Sequence, residues 1–428
     1  MSERVPQITG NGPAEESRVH EALRLAYIVA RFPKVTETFV VRELNEIDKR
    51  EDIDAELFGL FPPTGGAAEV HPSAQPWLAR VHRPGLIEQA RALLRWTVRR
   101  PATVLSTLAL LLWGFKRTPR LLPPTLGAML VACAHAETMS RLRIQHVHAH
   151  FVGHTATAAW VIHRLTGIEY SVTAHAYDLY QDQAFLRERI QSAQFVITIS
   201  HFNADFISEF CDGITPPITI VRAGVDLQRF RYLERRLPED GPVRALCVAS
   251  LMAHKGHRIL IEALAGEDPR LQRIQLSVIG DGGEREGLQA QVRELGLDQR
   301  ICFLGNQPED RVAELLGDAD LLVLPSTIGS RGRMEGVPVS LMEALACGVP
   351  AVATRLSGVP ELVEEGVTGT LAEHGDVGSL RAALERVLDD PDRTMRMSRT
   401  GRERVVREYD VVNSAATLAN LFLAARGA

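Results

Sequence analysis

Cysteine is scarce in this sequence: five in 428 residues (Cys133, Cys211, Cys247, Cys302, Cys347), odd in number and without CxxC spacing. That argues against a disulfide framework and a structural zinc site, and it fits a reducing cytoplasm. Long hydrophobic runs are also missing. The most apolar stretches, Val104–Trp113 and Leu126–Ala134, are separated by Lys116, Arg117 and Arg120. Each is about half the ~20 residues a membrane-spanning helix needs, so no segment is expected to cross a bilayer. Charge is not strongly one-sided: the net value of −5 gives no global reason to expect nucleic-acid binding. There is no fixed-period repeat and no low-complexity tract. The first twenty residues are polar and include Glu15, Glu16 and Arg18. They read as a loose extension (1–20), not a secretory signal.

What is present is an alternation. From about residue 25, short β-branched apolar runs alternate with longer helical patterns, and the length suggests two or three domains. Leu25–Ala30 reads as a strand and Thr36–Lys49 as the helix after it. His146–Phe151, Tyr170–Ala174 and Phe195–Ile199 read as further strands. The pattern breaks at Cys211–Pro217 and turns polar from Glu234 to Pro242, then restarts with Val243–Ala249, Ile274–Ile279, Ile301–Leu304, Leu321–Pro325 and Pro350–Thr354. Such βαβα alternation predicts parallel sheets covered by helices on both faces, here two doubly wound domains. The expected division is 21–215 and 216–408, with a linker within 212–242. A C-terminal amphipathic helix in 409–428 is expected to pack back on the first domain.

One insertion, about 80–140, does not alternate. Residues 80–120 hold nine basic side chains (Arg80, Arg83, Arg91, Arg95, Arg99, Arg100, Lys116, Arg117, Arg120) against one acid, Glu88, with Trp96, Trp113 and many leucines interleaved. Two readings stay open: a helix lying on an anionic membrane surface, or a helical hairpin whose apolar faces are buried core. The first would make the protein peripheral on the inner face of the plasma membrane.

The most informative stretch is Glu335-Gly-Val-Pro-Val-Ser-Leu-Met-Glu343, which follows a strand and a glycine-containing loop. Pro338 suits a first helical turn. The backbone N–H groups of Val339, Ser340 and Leu341 would then be unpaired at the helix start, a ready site for a diphosphate. Glu335 precedes this helix start and Glu343 lies inside the helix. One carboxylate thus addresses a group beyond the phosphates and the other reaches toward a ribose.

These residues resemble the E-x7-E signature of family 4 glycosyltransferases, in the form EGxPxxLMEAxAxGxPVVxT, matched from Glu335 to Thr354 with Ala351 replacing one valine. Ser357-Gly-Val-Pro-Glu-Leu-Val363, Val278-Ile-Gly-Asp-Gly-Gly-Glu284, Gly224-Val-Asp226 and Lys255-Gly256 resemble further motifs of that family, in the right order. In the first half, Phe32-Pro-Lys-Val-Thr-Glu-Thr-Phe39 with Glu43, His148-Ala-His-Phe151 and Thr173-Ala-His-Ala-Tyr-Asp178 are similar to segments of exopolysaccharide transferases of the colanic acid and amylovoran type. The resemblance covers roughly 24–425.

It implies an α/β protein of the GT-B fold, two Rossmann-like domains facing a cleft. It also implies retaining, metal-independent transfer of a sugar from a UDP- or GDP-sugar to a glycan, expected to be lipid-linked, in exopolysaccharide or other cell-surface polysaccharide synthesis. No cofactor is implied beyond the donor substrate. Glu335 is expected to contact the donor sugar, Glu343 the ribose, Lys255 the diphosphate and His175 the sugar near the reacting centre. Gly336, Val337, Val339, Ser340 and Leu341 would line the donor. Phe32, Pro33, Thr36, Glu37, Thr38, His150 and Asp178 would lie on the acceptor side. Thr36, Glu37 and Thr38 could equally be a helix cap with an acidic first turn, Asp178 could orient its loop, and one of His148 and His150 is expected to be structural.

One departure stands out. Ser250 occupies the place of an arginine five positions before the lysine, removing a bidentate phosphate ligand. Arg331 and Arg333 are candidates to supply the missing charge. Gly280-Asp-Gly-Gly lacks the third glycine of a dinucleotide loop. Asp318-Ala-Asp320 precedes a strand, the wrong end for a GT-B site, and reads as a structural turn rather than a metal motif. The alternatives are a GT-B phosphorylase or epimerase, which the first-half segments disfavour, and a non-catalytic sugar-nucleotide-binding scaffold.

Overall fold

A computed structural model describes residues 22–33, 38–63 and 72–426. The expected extension at 1–20, and the acceptor-side candidates Thr36 and Glu37, lie outside those residues.

The alternation resolves into two six-stranded parallel sheets. The first comprises β1 (Leu23–Arg31), β2 (Ile53–Phe61), β3 (His146–His150), β4 (Glu169–Ala174), β5 (Phe195–Thr198) and β6 (Ile218–Ile220), in the order β2-β1-β3-β4-β5-β6. The second comprises β7 (Val243–Val248), β8 (Ile274–Ile279), β9 (Ile301–Gly305), β10 (Leu321–Leu324), β11 (Ala351–Arg355) and β12 (Thr370–Glu373), in the order β12-β11-β10-β7-β8-β9. Strands such as β1, fully or nearly buried from Leu25 to Val29, are apolar runs because both faces are covered. β2 and β12 are edge strands that the pattern above did not single out.

Each order reverses once, between β1 and β3 in the first sheet and between β7 and β10 in the second. At such a switch the flanking loops diverge and leave a crevice beyond the carboxyl ends of the strands, where ligands bind in open α/β sheets. The loops leaving β1 and β3 hold Phe32, Pro33 and Phe151; those leaving β7 and β10 hold Ser250–Gly256 and Pro325–Glu335. Topology therefore already selects the candidate residues.

Residues 221–242 carry the chain from one sheet to the other. Gly224 lies so close to the start of the last helix that a Cβ there would fall 2.2 Å from Val411 Cα. The last helix, Val411–Ala425, packs on the first-domain helix Thr38–Asp48: Leu418, Ala419 and Phe422 join Tyr27, Leu44 and Ile47 in one apolar cluster. The expected return crossing is present.

The insertion forms three helices, Leu86–Arg99, Pro101–Gly114 and Leu122–Leu142. The third is mostly core, with Ala128, Ala132, Cys133, Ala136 and Met139 fully buried. The first two are not: Leu86 is 82% and Trp113 61% exposed, alongside Ile87, Leu94, Val98 and Leu105. Among the described residues no helix is long and apolar enough to cross a membrane.

Candidate functional site

On the second-domain side, β7 ends in a loop whose backbone is pressed against a glycine turn. A Cβ at Gly280 would lie 2.1 Å from the Ala249 carbonyl oxygen, and one at Gly282 2.4 Å from that of Leu251. The glycines of Gly280-Asp-Gly-Gly thus serve close backbone packing, not a dinucleotide. Lys255 closes a short 3-10 turn (Ala253–Lys255), and the next helix starts at His257. Gly256 then adopts φ +72°, and a Cβ there would sit 1.8 Å from the Pro325 carbonyl oxygen. This contact brings the β7 and β10 loops together.

The result is an ion pair. Lys255 Nζ lies 2.6 Å from Glu335 Oε1, and His254 Nε2 lies 3.4 Å from the same oxygen. Burial alone would raise the Glu335 carboxyl. The Lys255 charge and the hydrogen bonds from His254 and Lys255 more than offset it and hold the group at about 2. Glu335 is therefore a carboxylate throughout the working pH range, able to accept hydrogen bonds and too weak a base to take a proton. Lysine offers three donors, so two remain for a ligand. His254 was missed by the sequence reading; its adjacency to Lys255 was the available signal.

Behind Glu335 the helix Val339–Ala346 has Pro338 as its N-cap, so it starts one position later than expected. Leu341 N–H donates to the Pro338 carbonyl at 3.1 Å. That corrects the expected set of free N–H groups: a tight first turn uses Leu341, and among the described residues Val339 and Ser340 keep theirs unpaired. Glu343, in the second turn, is buried, and burial pushes its carboxyl up against the opposing charge of Arg42. Arg42 Nη2 lies 2.6 Å from Glu343 Oε1. The sequence carried no local signal for this pair, whose members are 301 positions apart.

The candidates for the missing phosphate charge are placed differently from each other. Arg333 stacks its guanidinium 5.0 Å from the ring centroid of Tyr177, across the cleft. Arg331 is exposed, with φ +60°. Ser250 has no described side-chain hydrogen bond. Asp320 holds both the backbone and the guanidinium of Arg244, as a structural turn does. Among the described residues, no three His, Cys, Asp or Glu side chains are grouped to hold a metal.

The first-domain side is built largely from rings. His175 precedes a short helix, Ala176–Tyr180, and stacks 5.1 Å from His150 and 4.6 Å from Phe151. Burial, with a smaller contribution from His150, pushes the His175 pKa well below its ordinary value, so the ring is uncharged. Its Nε2 is buried without a partner. Phe151 holds φ +75°, a conformation rare for a bulky residue and common where a site imposes strain. His148 is satisfied by Ser171 and Thr173 and is structural, whereas both ring nitrogens of His150 lack a hydrogen bond. His150 and His175 line a narrow cavity of about 20 Å³ with Glu43, Thr173 and Arg222. Asp178 accepts from the backbone N–H of His175 at 3.1 Å and of Val152. It ties the ends of β3 and β4 together; burial, opposed by these bonds, pushes its carboxyl up to about 7. The donor-side and first-domain groups meet directly: a Cβ at Gly336 would lie 2.9 Å from Ile199 Cδ1 and 3.3 Å from Ala176 Cβ.

Residues 229–404 match the family model described as glycosyl transferases group 1. Among known proteins, the amylovoran biosynthesis glycosyltransferase AmsK of Erwinia amylovora is 26% identical over 91% of this chain and 96% of its own length. A putative colanic acid biosynthesis glycosyltransferase, WcaL of Salmonella typhimurium, is 35% identical over 46% of this chain, which spans about half (48%) of that relative. Among solved structures, Anabaena HepE in complex with UDP superposes with a TM-score of 0.69 at 19% identity, covering 94% of this chain and 100% of that one. Family motifs, relatives and fold agree: residues 229–404 are similar to the group 1 glycosyltransferases, and the chain has the GT-B fold.

Proposed function

We propose that this enzyme moves a sugar, with retention of anomeric configuration, from a UDP- or GDP-sugar to a lipid-linked glycan in exopolysaccharide or other cell-surface polysaccharide synthesis. The observation that carries the donor half is the grouping of Lys255, Glu335 and the start of the Val339–Ala346 helix at the second sheet's switch point. The bond from the anomeric carbon to the phosphate oxygen breaks first. Lys255 and the Val339 and Ser340 N–H groups meet the charge of the departing diphosphate, the main electrostatic demand of the step. Glu335, fully ionised, anchors donor hydroxyls. The acceptor hydroxyl then attacks from the same face, and the leaving phosphate oxygen takes its proton. His175, held well below its ordinary pKa, and strongly acidic Glu335 are each poor acceptors for that proton, which fits this route. The acceptor half rests on the similarity to the amylovoran and colanic acid enzymes. Phe32, Pro33, Thr38 and His150 sit on the acceptor side.

The test is turnover of a panel of UDP- and GDP-sugars with lipid-linked acceptors, with the product's anomeric configuration read by NMR. Transfer with retention is expected; binding without transfer to any acceptor would favour a scaffold, and inversion would refute the mechanism.

A second reading concerns location. On the Leu86–Arg99 helix, Ile87, Arg91, Leu94 and Val98 fall on one face at helical spacing. Ile87, Leu94 and Val98 are exposed, and Lys116 stands 4.5 Å over the exposed Trp113 ring. Apolar anchors framed by cations suit an anionic lipid surface, placing the enzyme where a lipid-linked acceptor resides. Sedimentation with anionic vesicles, absent with zwitterionic ones and lost in Leu94→Ser/Trp113→Ser, is the expected result.

A further inference from the structure

Arg42 belongs to the first domain by its backbone and to the second by its side chain. It lies on the Thr38–Asp48 helix, yet every described partner of its guanidinium lies in or beyond the interdomain crossing. Nη2 bonds Glu343 at 2.6 Å and also Glu309; Nη1 reaches the Gly224 carbonyl at 3.4 Å; the group packs 5.5 Å from the Phe230 ring centroid. Glu309 is shared with Arg229. Among the described residues, two cations thus face two carboxylates in a largely buried site.

We propose that Arg42 is a positioning residue of the donor site: it holds the Glu343 carboxylate ionised and oriented for the ribose diol, so nucleotide recognition is completed by the first domain. The inference rests on reading Glu343 as the ribose ligand and extends it. Arg42 occupies Oε1, while Oε2 takes no hydrogen bond from a described residue. An ionised carboxylate has room for further donors, and Oε2 is the oxygen left for the two ribose hydroxyls. Without the guanidinium, burial would drive Glu343 toward its neutral form, a poorer acceptor. The closeness of the domains at Gly336 keeps Arg42 within reach. Opening the cleft would withdraw Arg42 from Glu343, so ribose affinity is tied to closure.

The test is calorimetric binding of UDP, GDP and their 2′,3′-dideoxy counterparts to the full chain. Glu343→Ala and Arg42→Ala are each expected to weaken ribonucleotide binding roughly tenfold or more, the worth of a charge-assisted hydrogen bond, and to leave the dideoxy forms nearly unchanged. Arg42→Lys retains the cation but not the fork, so it is expected to recover part of the ribose preference and serves if the alanine variant folds poorly. If Glu343→Ala loses the ribose preference but both Arg42 variants keep it, the inference is wrong and the ribose reading stands. Tighter ribonucleotide binding in Arg42→Ala, or equal loss of both nucleotide forms, would likewise overturn it. If Glu343→Ala keeps the preference, the ribose reading fails and the inference with it.

Discussion

The two walls of the cleft are made of different chemistry. On the second-domain wall the groups near the expected donor are ions: Lys255 against Glu335, and Glu343 against an arginine from the opposite domain. On the first-domain wall they are stacked rings, His150, His175 and Phe151, steadied by a carboxyl whose own pKa is pushed up to about 7. Charges set in fixed positions act on a diphosphate, whose charge grows as it departs; rings and buried nitrogens act on sugar hydroxyls through shape and single hydrogen bonds. The division predicts that substitutions on the two walls differ in size and in pH response.

The largest effect is expected from Lys255→Ala. Removing a fixed cation from a developing diphosphate charge should lower kcat by about 10²–10³-fold, measured with saturating donor and acceptor. A loss comparable to that of a neutral residue would erase the contrast between the walls. His175→Ala removes one neutral hydrogen-bonding group and should lower kcat/KM by roughly tenfold. Because His175 is uncharged in the folded enzyme, the pH profile between about pH 6 and pH 8 should keep its shape in the variant. A profile that changes shape would mean that His175 titrates during turnover.

The smallest effect concerns stability. Asp178 binds its proton more tightly folded than unfolded, so its contribution is present below the ordinary carboxylate pKa and is lost as pH rises through about 7. Asp178→Asn should remove a contribution to Tm that declines between about pH 4 and pH 7, with little change in slope above. The buried histidines act oppositely. His146 and His148, held below their ordinary values by burial, must gain protons on unfolding. Their contribution to stability therefore falls as pH drops below about 6.5 in wild type and variant alike, so the Asp178 effect is read as the difference between the two pH profiles.

Much of this contrast could be read in the sequence because it follows from local pattern. Buried parallel strands tend to be short, mostly apolar runs, which is why β5, β7 and β8 appear close to their observed bounds. β2 was overlooked because its Asp54 and Glu56 interrupt the run at an edge, where one strand flank lacks a neighbour. Glu335 and Glu343 were legible because the helix start lies between them in the chain. The Lys255–Glu335 pair depends on the Gly256–Pro325 contact between two loops, and Arg42–Glu343 on the meeting of two domains. Neither closure leaves a periodic trace. Arg333 shows the same limit: its charge suggested a phosphate, and its neighbour across the cleft is Tyr177.

The most direct test of the donor wall is calorimetry of nucleoside diphosphates against monophosphates, UDP with UMP and GDP with GMP, on wild type and Lys255→Ala. The wild-type enzyme should prefer one diphosphate clearly over its monophosphate, and the variant should lose that preference while still binding the monophosphate. Equal binding of both forms by the wild type, or a preference that survives without Lys255, would contradict the assignment of this wall to the donor diphosphate.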